Sequence, residues 1–408
     1  GRLSVDPELM IRMLIVGYAF GIRSERRLCE EVHRNLAYRW FCRLDLTDPV
    51  PDHSTFSKNR HGRFRDSDLF RHLFESVVAR CIAEGLVGGE TFASDASLIR
   101  ADANKQNAAS KADWDPDQIN PREAPRAVRE YLEVLDDAAF GAASEVEPKF
   151  TSFADPASQW TGARKGPAFF AYSDNYLIDT DHGVILDVEA SRSIRTAEVG
   201  ATRTMIGRTR DRFGLTPERL AADTAYGSGD MLGWLVGEGI EPHIPVIDKS
   251  ERQDGTFSKA EFQYDPERDE YTCPGGKALK KYWRQMKTPR DGVSKDGFRR
   301  YYARQADCAA CALKDRCCPG QPRRKIARHV HEAARDIARG IVTTDAYADA
   351  SRRRKKVEML FAHLKRILRL DRLRLRGPNG AKDEFLLAAT AQNLRKPAKL
   401  IPAAPAPA

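Results

Sequence analysis

The chain has 408 residues, 41% of them hydrophobic, and a formal net charge of +9. That length predicts two to three domains with cores that need no disulfide staples, and that composition excludes a wholly disordered chain. The longest apolar run, Met13–Ile22, is about half of the roughly 20 residues a membrane-spanning helix needs. The opening GRLSVDPELM has no signal-peptide pattern, so a cytoplasmic protein without membrane contact is expected. It also lacks an initiator Met, consistent with a trimmed piece of a longer protein.

Positive charge is concentrated. From Arg323 to Arg376 there are 17 basic and 6 acidic residues, a net of +11. From Lys277 to Arg304 there are 10 and 2, a net of +8. These two stretches exceed the whole excess, so the rest of the chain is net acidic. Such local charge fits a polyanion partner, bound through phosphate contacts and counterion release; a solvated basic surface is the alternative.

Residues 6–90 read as helical. PELMIRMLIVGYAF has helical apolar spacing with Pro7 early, and Gly21 breaks it. Ser24 is placed to cap SERRLCEEVHRN, and a short helix follows in LAYRWFCRL. Pro51 ends one element and Ser54 is expected to cap the next. Two short helices joined by a Gly turn resemble a helix-turn-helix, a DNA-reading device that is also ordinary packing.

Residues 90–100, ETFASDASLIR, read as a strand. The stretch 100–166, rich in Ala, Asp, Pro, Ser and Lys, reads as a long insertion or partly disordered loop with one amphipathic piece near Ala127–Ala139. Two β-rich runs then flank DTDHG, a hairpin signal. A helix is expected at about 195–212, a strand at 219–224, a helix in GDMLGWLVGEG and a strand in IEPHIPVI. Residues 250–322 are basic and cysteine-bearing, a helix pair is expected over 326–370, and PAAPAPA reads as a disordered tail. The order strand, hairpin, helix, strand, helix, strand, helix predicts a mixed α/β sheet domain.

Of the eight cysteines, Cys29, Cys42 and Cys81 sit among apolar residues and read as buried thiols. Cys273 in TCPGGK, Cys308, Cys311 and Cys317 have metal-ligand spacing and would complete a closed tetrahedral zinc site. Cys318 is a spare ligand; free thiols or a redox pair are the alternative. Tyr282, Trp283 and Tyr301 interleave with basic residues there, which allows stacking on exposed bases.

Three acids stand out. Asp95 lies in the first strand, Asp223 ends RLAAD before a turn, and Glu358 lies on the helix RRRKKVEMLFAHLKRIL. There Val357, Leu360, Phe361, Leu364 and Leu368 form the apolar stripe, with Arg354, Glu358 and Lys365 on one neighbouring face. Three carboxylates converging from two strands and a helix would suit two magnesium ions and phosphodiester cleavage. Taken singly, each acid is more simply an ordinary cap, turn or surface group.

ASDASLIRADANK, LAADTAYGSGDML and RRRKKVEMLFAHLKRILRLDRLRLRG resemble the three acidic motifs of the DDE transposases of bacterial insertion sequences. YLIDTDHGVILDVEAS resembles that family's second and third strands, and PDHSTFSKNRHGRF resembles its N-terminal helical domain. The resemblance implies that Asp95, Asp223 and Glu358 are catalytic and hold two Mg²⁺ or Mn²⁺ ions. The family's third motif, Tyr-x2-Arg-x3-Glu-x6-Lys, is met by Arg354, Glu358 and Lys365, while Ser351 stands at the Tyr position. Lys365 and Arg354, with Arg353, Lys355, Arg369 and Arg372, are then expected at DNA; orienting Glu358 is the alternative for Arg354, and a solvated helix face with i,i+4 pairing is the alternative for both Arg354 and Lys365.

The implied fold is an RNase H-like mixed sheet flanked by helices. It would span 90–249 and 323–396, with the loop at 100–166 and a basic Cys-rich insertion at 250–322. An all-α DNA-binding domain at 1–89, incomplete at its start, would precede it, and a disordered tail at 397–408 would follow. The implied reaction is metal-dependent cleavage at element ends followed by 3′-OH strand transfer into target DNA. The implied partners are terminal inverted repeats, target DNA and a second copy of the chain, at the bacterial nucleoid. A catalytically silent DNA-binding derivative and another RNase H-like nuclease are the alternatives.

Overall fold

The computed structural model describes residues 5–64, 67–110, 113–135, 139–140, 148–162, 166–248, 254–284 and 292–401. The tail PAAPAPA, and the parts of 100–166 and 250–322 not in this set, lie outside the described residues. The chain divides into two compact units, 1–222 with 348–408, and 223–347.

The first unit opens with helices. α1 (Pro7–Ala19) begins at Asp6, whose carboxylate accepts the Glu8 N–H, and it buries Met10, Met13, Leu14 and Val16. α2 (Glu25–Arg34) is capped by Ser24 as expected, and α3 (Leu36–Phe41) by Asn35. α4 (His53–Arg63) is capped by Asp52 rather than by Ser54. Asp52 Oδ1 accepts both the N–H of Ser54, at 2.9 Å, and its hydroxyl, at 2.6 Å. An acidic acceptor directly after Pro51 takes the cap position, and Ser54 falls inside the first turn. α5 (Leu69–Ala83) completes the set.

β1 (Thr91–Arg100), β2 (Ala108–Ser110), α6 (Arg126–Glu133), β3 (Phe150–Ser152) and β4 (Gln159–Gly162) follow. The expected hairpin is β5 (Ala168–Asp179) and β6 (Ile185–Arg192), then come α7 (Arg195–Phe213) and β7 (Arg219–Ala221). β5 pairs antiparallel with β1 and with β6, and β1 pairs parallel with β7. The stretch 100–166 is more ordered than its composition predicts. Among its described residues, β2 pairs with β3, β4 pairs with the start of β5, and Asp155, Ala157 and Ser158 are buried. Aromatic contacts supply what the composition hides: Trp160 packs edge-on against Phe150 and Phe170.

The second unit holds α8 (Gly229–Gly237), β8 (Glu241–His243), β9 (Gln263–Asp265), β10 (Glu270–Thr272), β11 (Ala278–Lys280), β12 (Phe298–Tyr302), α9 (Gln305–Ala309), α10 (Lys314–Cys317), β13 (Lys325–His329) and α11 (Glu332–Val342). An antiparallel sheet runs β13-β12-β11-β10-β9. Residues 326–329 were expected to open a helix pair and belong to a strand, β13, instead. Their alternation sends Ile326 inward opposite Tyr301, where both join an apolar cluster with Tyr271 and Leu279.

The chain returns to the first unit along α12 (Asp345–Arg366) and ends in α13 (Pro378–Leu400). α13 buries nearly everything from Ala381 to Asn393 and packs on α5, β6 and α1. It runs on to Leu400, through residues 397–400 that were expected to belong to the tail.

Candidate active site

Asp95 lies mid-strand in β1, in register with Tyr176 of β5. Residues directly opposite on paired strands share a face, so Asp95 and Tyr176 point to one side of the sheet. α12 covers that side, with the Phe361 ring stacked on Tyr176 at 4.6 Å between centroids. Tyr176 Oη donates to Gln392 Oε1 at 3.0 Å, and Gln392 Nε2 donates to the Leu360 carbonyl at 2.8 Å. α13 therefore ties β5 to α12 and fixes the helix over Asp95.

Helical spacing sets what meets Asp95. Val357, Leu360, Phe361 and Leu364 are buried, which leaves Arg354 at the edge of the stripe and Glu358 beside it. The Arg354 guanidinium touches both acids: Nη1 is 3.7 Å from Asp95 Oδ2 and Nη2 is 3.3 Å from Glu358 Oε1. Arg354 and Asp95 are 20% and 23% exposed, whereas Glu358 is 55% exposed. The second Asp95 oxygen, Oδ1, accepts the Ala96 N–H at 2.8 Å. Two carboxylates on one centre repel unless a cation lies between them, and Arg354 supplies that cation.

Asp223 follows β7. The parallel register runs from Thr91↔Arg219 to Ala93↔Ala221, and Asp95 and Asp223 each come two residues after its last pair. Asp223 is the first residue of the second unit. It is exposed, and its Oδ1 accepts the Ala225 N–H at 2.7 Å, capping the short turn Thr224–Tyr226.

Lys365 lies two turns beyond Glu358 and is half-buried. Burial pushes its ammonium down, against the pull of Asp174 and Asp371. Asp174, two residues before Tyr176 on β5, shares the Asp95 face and is fully buried. Neither of its oxygens has a hydrogen-bond partner among the described residues. Burial pushes its carboxyl well up, with Tyr176 and Lys365 pulling the other way. The sequence reading missed Asp174. Its only signal is the two-residue spacing from Tyr176, which means something only once the α12 face of β5 is known.

The other expected DNA contacts are spread more widely. Arg353 pairs with Asp181 at 2.8 Å and Asp349 at 2.6 Å, and Lys355 is exposed. Arg372 pairs with Asp102 at 2.8 Å, and Arg369 is exposed with a left-handed backbone, φ 57°. Arg369 and Arg372 line a cleft of about 820 Å³ together with Arg23, Arg27 and Arg374. Gly21 forms part of its wall with φ 65°, and a Cβ there would stand 2.6 Å from the Ile367 carbonyl oxygen. The cleft is anchored from below by Glu384, which is wholly buried and paired with Arg23. Glu384 also accepts the N–H groups of Arg374 and Leu375 at 2.6 and 2.7 Å and the Tyr18 hydroxyl at 3.2 Å.

In the second unit Cys273, Cys308, Cys311, Cys317 and Cys318 line one small cavity. All are free thiols; burial pushes Cys317 up to about 12. Among the described residues, no group of three or more His, Cys, Asp or Glu side chains is arranged to hold a metal ion. Nor is any helix among them long and apolar enough to cross a membrane.

Comparison with known families bears on this geometry at both ends of the chain. Residues 1–62 match the family model described as Transposase domain (DUF772), and residues 272–398 match the one described as Transposase DDE domain. At both ends, therefore, the chain is similar to a transposase domain. The resemblance to DDE transposases read from the motifs is borne out, and with it a transposase function. Transposase domains imply DNA binding, and a DDE domain implies an RNase H-like fold and divalent-metal use. The DDE match contains Arg354, Glu358 and Lys365 and also the Cys273–Cys318 stretch, whereas Asp95 and Asp223 lie outside both matches. No curated protein matches the chain.

Proposed function

We propose that this transposase cuts DNA at the ends of an insertion element and joins the freed 3′-OH to target DNA, using Asp95, Asp223 and Glu358. The observation that carries the reading is the Arg354 guanidinium shared by Asp95 and Glu358. It supports two acids, far apart in sequence, serving one cationic centre. The motif spacing and the position after β7 support Asp223 as the third.

The donor set fits a hard divalent cation. Carboxylate oxygens are what Mg²⁺ or Mn²⁺ prefers, and the acids already face a positive charge. Asp95, Asp223 and Glu358 would hold two such ions, which when bound supply water activation and neutralisation of phosphate charge. Arg354 keeps Asp95 and Glu358 turned to one centre. Lys365 meets a phosphate of the bound strand, where its ammonium offsets charge on the non-bridging oxygens. Arg353, Lys355, Arg369 and Arg372 hold the duplex backbone, the last two within the arginine-lined cleft.

In the first step water adds across a P–O bond and frees the 3′-OH. In the second, that hydroxyl attacks a target phosphorus and the target's own 3′ oxygen leaves, so no covalent enzyme–DNA bond forms. The protein acts as a homodimer on terminal inverted repeats.

The test is cleavage and joining of an end-containing duplex in Mg²⁺ or Mn²⁺. Asp95→Asn, Asp223→Asn and Glu358→Gln are each expected to lose both reactions and keep DNA binding. A variant that cuts as well as the native chain would remove that residue from the site.

A further inference from the structure

One small cavity in the second unit is lined by five cysteines together with Lys277, Lys314 and Arg324. We propose that Cys273, Cys308, Cys311 and Cys317 bind one structural zinc ion, independently of the acids assigned to DNA chemistry.

Four observations bear on it. First, the backbone brings together cysteines from three separate segments: the turn after β10, α9 with the residues that follow it, and the end of α10. The cavity they line measures about 20 Å³, room for one water-sized or ion-sized occupant.

Second, two of the sulfurs already accept backbone N–H groups. Cys273 Sγ accepts from Lys277 at 3.3 Å and Cys311 Sγ from Leu313 at 3.4 Å. A neutral thiol is a weak acceptor, whereas a metal-bound sulfur accepts such bonds more strongly. The Cys273 turn is closed by two backbone hydrogen bonds. Gly276 N–H donates to the Cys273 carbonyl at 2.8 Å with Gly276 at φ 72°, and the Cys273 N–H returns to the Lys277 carbonyl at 2.9 Å.

Third, charge is matched. Four thiolates around a divalent ion carry a net charge of −2, and Lys277, Lys314 and Arg324 line the same cavity with a single acid, Asp307. Fourth, the apolar cluster behind the β9–β13 sheet consists of ten buried residues, and three of these are Cys308, Cys317 and Cys318. A metal would link the β9–β13 sheet to α9 and α10.

Among the described residues these cysteines are not arranged as a metal group, so ligation takes rearrangement of their side chains. Each ligating thiol releases its proton as the ion binds. Cys318 remains outside the set.

The experiment is metal analysis of the full chain purified without chelator, with thiols counted before and after an organomercurial releases bound metal. About one zinc per chain is expected, with four thiols protected until release. Cys311→Ser is expected to fall below half of the native zinc content and Cys318→Ser to retain it. Should Cys311→Ser fail to fold, Co²⁺ substitution of the native chain reads the same site, and thiolate-to-cobalt absorption with tetrahedral ligand-field bands is expected. A native chain without zinc whose thiols react freely or pair as disulfides overturns the proposal, as does zinc lost in Cys318→Ser.

Discussion

Asp155 offers a quantitative test of the packing beneath β5. It is wholly buried, and Tyr172 Oη donates to its Oδ1 at 2.5 Å. Burial drives its pKa up to about 7, and the Tyr172 hydroxyl opposes this only in part. In the unfolded chain an aspartate titrates near ~3.9. Below that value both states hold the proton and the group contributes no pH dependence. Between ~3.9 and about 7 the folded state keeps a proton that the unfolded state has lost, so stability falls as pH rises, by ~1.4 kcal/mol per unit. The full penalty, roughly 4 kcal/mol, is in place above about pH 7. Asp155→Asn cannot ionise, and its amide oxygen can still accept from Tyr172. Urea unfolding of both proteins, followed by tryptophan fluorescence from pH 5 to pH 8, isolates the difference. The Asn variant should gain on the native chain by about 3 kcal/mol across that range. A difference that stays flat with pH would refute the buried neutral acid.

Two further outcomes follow from the same packing. Arg354→Ala should lower DNA cleavage by about 10²-fold while leaving DNA affinity within a few-fold, because it releases Asp95 and Glu358 from a shared orientation; equal losses in a binding assay would make Arg354 a DNA contact instead. Glu384→Ala should cost ~3–5 kcal/mol in denaturant unfolding, since Arg23 would be left buried without its partner. Burial works against the charged form of Glu384, but Arg23, Arg60 and the Leu375 and Arg374 N–H groups outweigh it and hold its carboxyl low. Its stabilisation is therefore present above the unfolded value of ~4.3 and is lost as pH falls through the folded one. The native-minus-variant difference should shrink on acidification, which urea titrations at pH 6 and pH 3 would read.

The split between what the sequence shows and what it hides follows the range of the interactions. α1, α2, the β5–β6 hairpin and α7 are set by caps, turns and periodicity within a dozen residues, and all are legible. Arg354 and Glu358 are legible too, because an i,i+4 spacing beside an apolar stripe is a local pattern. What Arg354 does there is not local, since its choice between DNA and Asp95 depends on how α12 lies over β1. Asp52 outcompetes Ser54 for a cap through a contact of two residues, so that error came from weighing residue types and not from missing information. Asp174 and Glu384 are a different matter. Among 58 acids, nothing near them in sequence marks them as buried. Asp174 is defined by a strand register with β1, and Glu384 by Arg23, 361 residues away. Both are acids in a dry environment, one held neutral and one held charged. Only the partner's position decides which. Buried ionisable groups of this kind are where a one-dimensional reading fails first, because burial and counter-charge are both properties of contacts the chain makes only after it has folded.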